Sequence, residues 1–227
     1  MQIVPLGDAA IVVRVLDDFK HDPARAIDAV LHVRAQLCAA AIDGIADIAP
    51  AYTTVALFFD PARAGDTEAL VAKIRSALAV VRRAVTIRPR TIEVPVCYDA
   101  EFASDLAEVA THARLSPAEV VRLHSRAKYL VSCLGFSPGF PYLSGLPREI
   151  ATPRRSTPRT RVPAGAVAIG GRQTGIYPHE SPGGWNIVGR TPLRLFDPGQ
   201  AQPALLQAGD NVRFRSITRE EFIAQRG

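Results

Sequence analysis

The first ninety residues alternate between strand-like and helix-like patterns of apolar residues. Short extended patterns predict four strands, at residues 2–4, 10–15, 45–49 and 53–59. Apolar residues at helical spacing predict two helices, at residues 22–40 and 67–81. The order of these elements predicts an α+β sandwich, in which two helices cover one face of a sheet.

The pattern changes at Arg88-Pro89-Arg90, where we place a domain boundary. Residues 91–96 alternate between apolar and polar side chains, which predicts a strand. Two short helices are expected to follow, at residues 102–110 and 116–126. In the second helix, Ser116 and Glu119 have the spacing of a capping box.

Beyond these helices the chain is expected to form a β-barrel. Between Gly135 and Gly199 lie 11 of the 16 glycines and 10 of the 18 prolines. Short apolar runs between tight turns are typical of barrels and sandwiches. These runs predict strands at residues 167–169, 185–188, 193–196 and 212–214. The fold class is therefore α+β, with a small N-terminal α/β sandwich domain at residues 1–88 and a barrel domain at residues 89–227.

The composition and charge of the chain limit the classes of partner and the cellular location that we expect. The formal charge of +5 favours anionic partners. Nucleic acid is not expected, because the arginines are not interleaved with stacking aromatic residues. The three cysteines form no CxxC pair, so we interpret them as buried thiols and expect no metal site. A membrane span and a secretion signal are both absent from the pattern, so we expect a cytoplasmic protein.

Three segments, at residues 135–143, 153–165 and 177–192, combine glycine and proline with arginine and aromatic residues. Proline and glycine can hold a loop in one conformation, which lowers the entropy cost of placing a side chain. Arginine offers a planar fork that matches a carboxylate or phosphate. These loops are therefore candidate binding loops, although they could simply turn the corners of a barrel.

The motifs in these segments carry a family resemblance. They are Tyr129-Leu-Val-Ser-Cys-Leu-Gly-Phe-Ser-Pro-Gly-Phe-Pro-Tyr-Leu143, Val162-Pro-Ala-Gly165, Ser181-Pro-Gly-Gly-Trp185 and Gly189-Arg-Thr-Pro192. In this order they resemble the 5-oxoprolinase B-subunit family, which also contains allophanate hydrolase subunit 1 and a sporulation-kinase inhibitor. Pro5-Leu-Gly-Asp8 and Ala49-Pro-Ala-Tyr-Thr53 extend the resemblance over nearly the whole chain.

The resemblance implies a cyclophilin-like barrel and a heteromeric hydrolase. The 5-oxoprolinase C component is expected to bind this chain directly, together with a separate A component. The complex is expected to couple ATP hydrolysis to the conversion of 5-oxo-L-proline to L-glutamate. Two alternatives stay open, namely a regulatory protein that inhibits a sensor histidine kinase and a component of the allophanate hydrolase or urea carboxylase type.

Eight residues are candidates for the site of this reaction. His124 is expected to carry a proton, and Arg159 is expected to act in catalysis by neutralising anionic charge. Substrate binding is assigned to the residues whose side chains offer anion contacts, lactam hydrogen bonds or an aromatic wall: Arg154, Arg161, Arg190, Gln173, Tyr177 and Trp185.

The sequence lacks the standard motifs for two cofactors, ATP and biotin. The stretch Gly170-Gly-Arg-Gln-Thr-Gly175 has no lysine where a phosphate-binding GxxxxGK[ST] loop needs one. ATP is therefore expected in a site shared with the partner proteins. The only methionine is Met1, so the Met-Lys-Met motif for biotin attachment is absent. We expect no covalently attached biotin.

Overall fold

The computed structural model describes residues 1–80 and 89–225. The chain divides into two compact units, Met1–Arg88 and Pro89–Gly227. The predicted end of the first domain at Arg88 and the predicted helix end at Val81 fall on residues outside the described parts of the chain.

The first unit is a four-stranded antiparallel sheet with helices on one face. Its strands, in the sheet order β1-β2-β4-β3, are β1 (Gln2–Pro5), β2 (Ala10–Arg14), β4 (Thr54–Phe59) and β3 (Ile45–Ala51). Its helices are α1 (Pro23–Ala40), α2 (Pro61–Ala64) and α3 (Thr67–Ala79). The sequence pattern missed only the four-residue helix α2 within this unit's described elements.

Capping and apolar packing explain the two long helices of the first unit. Asp22 caps α1 by accepting a hydrogen bond from the backbone N–H of Arg25, and Asp66 caps α3 in the same way through Ala69. Buried residues of α1 and α3 pack against alternate residues of β2 and β4 in one core. Cys38, expected to be a buried thiol, is exposed because it lies on the outer side of α1.

The second unit is a closed seven-stranded barrel. Going round it, the strands are β6 (Tyr129–Leu134), β13 (Asn211–Ile217), β5 (Thr91–Cys97), β12 (Asn186–Arg190), β9 (Ala166–Gly170), β10 (Gln173–Ile176) and β7 (Pro141–Ser144). Pairing of β7 with β6 closes the ring. The predicted α+β class with a barrel is confirmed.

A second, two-stranded sheet belongs to this unit, together with three helices. The sheet pairs β8 (Arg159–Val162) with β11 (Ser181–Gly183), and the helices are α4 (Leu106–Ala113), α5 (Pro117–Arg126) and α6 (Arg219–Gln225). A single 3₁₀ turn spans Arg148–Ile150. The predicted capping box of α5 is confirmed, since Ser116 and Glu119 bond each other's backbone N–H.

Strand β9 separates two apolar cores by simple alternation. Val167 and Ile169 belong to the main core of the barrel, whereas Ala166 and Ala168 belong to a smaller cluster. Because successive side chains of a strand point to opposite faces, the smaller cluster lies on the outer face of the barrel wall. The candidate loops meet at this outer cluster.

One predicted strand of the barrel is wrong. Residues 193–196 form no strand, and only an isolated bridge joins Phe196 to Ala204. Several real strands carried too little signal because they are short and begin or end at proline or glycine, as β7 and β11 do. Helix α4 begins at Leu106 rather than at residue 102, since Asp105 occupies its N-cap position.

Candidate functional site

An aromatic cluster on the outer face of the barrel forms the centre of the candidate site. Trp185 is 5% exposed, and its ring centroid lies 5.6 Å from that of Phe140 and 5.8 Å from that of Tyr142. Tyr177 packs edge-on against Phe140 at 5.1 Å. Such edge-to-face pairs hold each ring in a defined orientation. The cluster therefore forms a rigid aromatic surface that is almost entirely buried.

Two glycines make this packing possible. A Cβ atom on Gly170 would lie 2.5 Å from the Trp185 ring, and one on Gly183 would overlap the Tyr177 hydroxyl oxygen. Real Cβ atoms do not approach other heavy atoms so closely, so any side chain at these positions would displace the rings. The glycines of these two motifs have a packing role in the site.

The ring of Phe136 extends the aromatic surface to solvent. Phe136 is 62% exposed, and its ring contacts those of Phe140 and Tyr177 edge-on. Its backbone has a φ of 66°, which is uncommon for a residue other than glycine. An exposed apolar ring held in this conformation at the edge of a buried cluster is available to contact a ligand.

Arg154 supplies positive charge to the aromatic cluster. Its guanidinium carbon lies 5.5 Å from the centroid of the Trp185 ring, within cation–π distance, and its side chain is exposed. Burial raises the pKa of Tyr142 and of Tyr177, and the positive charge of Arg154 partly opposes both increases. The cation and the two phenol groups therefore share one electrostatic environment.

Arg159 is bound to a buried carboxylate. Its two terminal nitrogens donate to the two oxygens of Asp105, at 2.9 Å and 2.5 Å. Asp105 is 1% exposed, and it also accepts from Arg155 and from the backbone N–H of Ile187. The charge of Arg159 is therefore matched by a carboxylate of the same unit.

Arg161 and Arg190 are engaged elsewhere. Arg161 forms a two-pronged pair with Glu180 across the β8–β11 sheet, and both side chains are largely exposed. Arg190 donates from Nε to the carbonyl oxygen of Ala164 at 2.8 Å, which fixes the loop before β9. Among the ion pairs of residues 1–80 and 89–225, these loops contribute Arg155, Arg159 and Arg161, but not Arg154.

Gln173 lies at the turn between β9 and β10. It is half-buried and pairs in register with Gly170, the residue on which the Trp185 ring packs. The structure thus brings Gln173, Tyr177, Trp185 and Arg154 to one region of the outer face. Arg159 borders this region, because it pairs with Gly183 beneath the Tyr177 hydroxyl.

His124 lies apart from these residues, in the interior of the barrel. It is fully buried, and its ring stacks on Phe214 with centroids 4.7 Å apart. Thr174 donates its hydroxyl proton to Ala168, so it accepts from Nε2–H of His124 at 3.0 Å. Nδ1 then accepts from the Tyr98 hydroxyl at 2.8 Å. This arrangement fixes one neutral tautomer.

Burial lowers the pKa of His124 to about 3. Moving an imidazolium ion out of water into the apolar core is unfavourable, and no carboxylate among its described contacts compensates. Both ring nitrogens are occupied by Tyr98 and Thr174. The proton-carrier role of His124 stays a prediction, and its contacts favour the alternative of a structural histidine.

Several residues of the site escaped the sequence patterns. The three aromatic neighbours Phe136, Phe140 and Tyr142 lay within a quoted motif but were not assigned a role. Asp105 fell inside the helix predicted at residues 102–110 and was assigned no role. Nothing in a linear pattern shows that its side chain makes no capping bond to its own helix and binds two arginines about fifty residues away.

Across residues 1–80 and 89–225, no three His, Cys, Asp or Glu side chains are grouped so that they could hold a metal ion. Within the same residues, every helix is too short or too polar to span a bilayer.

Fold and site together define a class of protein. It is a two-unit α+β chain whose closed barrel carries, on its outer wall, an arginine over a rigid aromatic surface, a combination suited to a small anionic ligand. The family model "Carboxyltransferase domain, subdomain C and D" matches residues 1–206. The chain belongs to this carboxyltransferase-domain family.

Named relatives agree with this membership. The chain is 37% identical over 233 residues to the 5-oxoprolinase B subunit of Bacillus subtilis (strain 168), covering 98% of this chain and 95% of that protein. It is 56% identical over 125 residues to the 5-oxoprolinase B subunit of Haemophilus influenzae, covering 55% of this chain and 59% of that one. A putative urea carboxylase of Emericella nidulans is more distant, at 27% identity over 60% of this chain and 12% of its own length.

A solved structure shows the same fold. The crystal structure of TTHA0988 aligns with a TM-score of 0.76 and 37% identity over 92% of this chain. This chain corresponds to only 40% of the TTHA0988 chain, so the whole of that protein is much longer.

Proposed function

We propose that this chain is the B component of an ATP-dependent 5-oxoprolinase, which acts with the A and C components to convert 5-oxo-L-proline to L-glutamate. The observation that carries the proposal is the match to the Bacillus subtilis protein over 98% of one chain and 95% of the other. The much lower coverage of the urea carboxylase makes that alternative weaker.

In this proposal the outer site binds 5-oxoproline. This substrate is a five-membered lactam ring that carries one carboxylate. In the proposal the carboxylate binds Arg154, whose guanidinium is exposed and lacks a carboxylate partner among the described ion pairs. The lactam ring lies against Phe136, the exposed ring of the aromatic surface whose buried part includes Tyr177 and Trp185.

The other candidate residues have supporting roles in this proposal. Arg159 and Arg161 contribute positive potential at the border of the site, although each is paired with a carboxylate. Gln173 offers an amide that can hydrogen-bond the lactam from the β9–β10 turn. The hydroxyls of Ser137 and Ser181 are buried and have no partner among the described residues, so they are further candidate contacts.

ATP is proposed to bind in a site completed by the partner proteins. The glycines at residues 170–175 do not form a phosphate-binding loop here, because they make a tight hairpin between β9 and β10 with no helix following it. When bound, ATP would phosphorylate the lactam oxygen and release ADP, which would make the lactam carbon electrophilic. We propose that the complex works in the cytoplasm.

The experiment that tests the function is reconstitution with omission of single components. Glutamate release from 5-oxoproline and ATP is measured for this chain mixed with candidate A and C components, and then with each protein left out in turn. We expect activity only with all three. Activity that persists without this chain would contradict the proposal. In that case, inhibition of histidine-kinase autophosphorylation by the purified chain would support the regulatory alternative.

A further inference from the structure

Arg154 is held in place through the residues on either side of it. On one side, the carbonyl oxygen of Pro153 accepts a hydrogen bond from the side-chain amide of Asn186 at 2.8 Å. On the other side, the backbone N–H of Arg155 donates to the carbonyl oxygen of Gly184 at 2.8 Å. Both partners adjoin Trp185, the ring beneath Arg154. The residues that flank Arg154 are therefore bonded to the residues that flank Trp185.

Asn186 connects the loop that carries Arg154 to the barrel wall. Its side chain is 4% exposed, and besides Pro153 it donates to the carbonyl oxygen of Ile169 on β9 at 3.1 Å. One buried amide thus bridges the loop that carries Arg154 and the strand on which Trp185 packs. A buried amide that uses both its donors in this way specifies one geometry.

Asp105 fixes the other end of the same loop. Its carboxylate accepts from Arg155 at 3.0 Å, from both terminal nitrogens of Arg159 and from the backbone N–H of Ile187 at 2.7 Å. The backbone N–H of Asp105 in turn donates to the carbonyl oxygen of Ile187 at 2.9 Å. Asp105 therefore joins the N-terminus of α4, the arginine loop and β12.

The Asp105 carboxylate also determines which arginines of the loop have a carboxylate partner. Arg155 is shared between Asp105 and the exposed Glu108, and Arg159 is bound by Asp105. Two arginines are thus matched by two carboxylates, which leaves Arg154 as the cation of residues 154–159 without a carboxylate in its described contacts.

We propose that Asp105 and Asn186 are positioning residues that hold Arg154 over Trp185 and reserve it for the substrate carboxylate. The assignment of the carboxylate as ligand rests on the proposed function. The positional part does not, because it concerns the geometry of Arg154 and Trp185 in the chain itself. Neither residue touches the substrate in this proposal; both act through Arg154.

The test compares two buried aspartates with similar contacts. Asp210 is 4% exposed and, like Asp105, accepts from one arginine through two nitrogens and from one backbone N–H, whereas Asp105 accepts in addition from Arg155. Its partners are Arg90 and Gln207, which are not part of the loops around Trp185. Asp210→Asn is therefore a matched control for Asp105→Asn, since both remove one buried negative charge and preserve the shape of the side chain.

Trp185 is the only tryptophan of the chain, so its fluorescence reports on the site without any need for activity. In the full-length chain, Asp105→Asn is expected to shift the emission maximum and to increase quenching by acrylamide. Asp210→Asn is expected to change neither. Asn186→Ala, which removes the amide bridge, is a second variant that is expected to show the same changes and replaces Asp105→Asn if that protein fails to fold.

In the reconstituted complex, Asp105→Asn is expected to raise the KM for 5-oxoproline by about tenfold or more with a smaller change in kcat, because a displaced anion contact weakens substrate binding. Asp210→Asn should leave the KM unchanged. Equal fluorescence and equal KM in the two aspartate variants would overturn the proposal. A fluorescence change specific to Asp105→Asn in a complex that never releases glutamate would sustain the positioning role and reject the proposed function.

Discussion

The interior and the outer wall of the barrel are built from the same strands, but their polar side chains differ in their partners. Inside, hydrogen bonds run from Tyr98 to His124, then to Thr174 and to the carbonyl of Ala168, so each group has a partner. Outside, carboxylates match Arg155, Arg159 and Arg161, while Arg154 lies over an aromatic ring. The comparison teaches that the partners of a side chain, more than its type, separate structural residues from candidate binding residues.

The largest effect is expected on the free energy of unfolding, after a substitution in the barrel interior. His124→Ala removes a buried ring and leaves the Tyr98 hydroxyl and the Thr174 hydroxyl without their partner, so we expect the free energy of unfolding to fall by about 3–4 kcal/mol. Urea denaturation measures it. The kcat of the folded fraction in the complex should be close to that of the wild type. Loss of kcat with unchanged stability would break the comparison and restore His124 as a proton carrier.

The next largest effect is on the outer wall. Arg154→Ala is expected to lower kcat/KM for 5-oxoproline by roughly 10- to 100-fold, the range for losing one charged hydrogen-bond partner of about 1.5–3 kcal/mol. Because the side chain is exposed, the melting temperature should stay nearly constant. Arg154→Lys should recover part of the activity, since it keeps the charge without the planar fork. Unchanged kinetics in the alanine variant would remove Arg154 from the site.

A pH series sharpens the comparison further. The pKa of His124 is about 3 in the folded chain, against 6.5 for an unperturbed histidine. Between these values the unfolded chain binds a proton that the folded chain does not. The contribution of neutral His124 to the free energy of unfolding is therefore fully present above pH 6.5. It is lost as the pH falls towards 3, at about 1.4 kcal/mol per pH unit.

Urea midpoints at about pH 7, 6 and 5 measure this dependence. Relative to wild type, His124→Gln should show a flatter decline, because glutamine does not titrate and the other histidines are common to both proteins. Parallel curves for the two proteins would show that the buried imidazole does not control acid stability.

The smallest effect is expected at the exposed Arg161–Glu180 pair. Exposed ion pairs contribute little to stability, so Arg161→Gln should change the free energy of unfolding by less than about 0.5 kcal/mol. The KM for 5-oxoproline should rise by less than about threefold, because Arg154 is the primary anion contact in the proposal. A larger rise in KM than that of Arg154→Ala would exchange the roles of the two arginines.

The sequence patterns predicted the first unit better than the barrel. Long amphipathic helices with acidic caps, such as α1 after Asp22, carry a signal that survives without tertiary context. Barrel strands of three to five residues, such as β7 and β11, do not. Residues 193–196 looked extended, but pairing, not propensity, decides whether an extended run becomes a strand.

The sequence patterns indicated several residues of the candidate site but not which side chains contact each other. Arg154, Tyr177 and Trp185 stood in dense motifs and do lie together. Which arginine is left without a carboxylate depends on contacts such as Asp105 with Arg159, which span more than fifty residues and follow from the closed barrel. Sequence spacing contains no information of this kind.

The parallel pairing of β5 with β13 has a consequence for the order in which the protein matures. Seven residue pairs join Thr91–Cys97 to Asn211–Ile217, and Arg90 binds Asp210 beside them. During translation, β5 and β6 leave the ribosome long before β13, so their edges stay unpaired while the intervening chain is added. Open edges invite pairing with other chains. The interval before β13 emerges is therefore the time of greatest aggregation risk for a nascent chain of this protein.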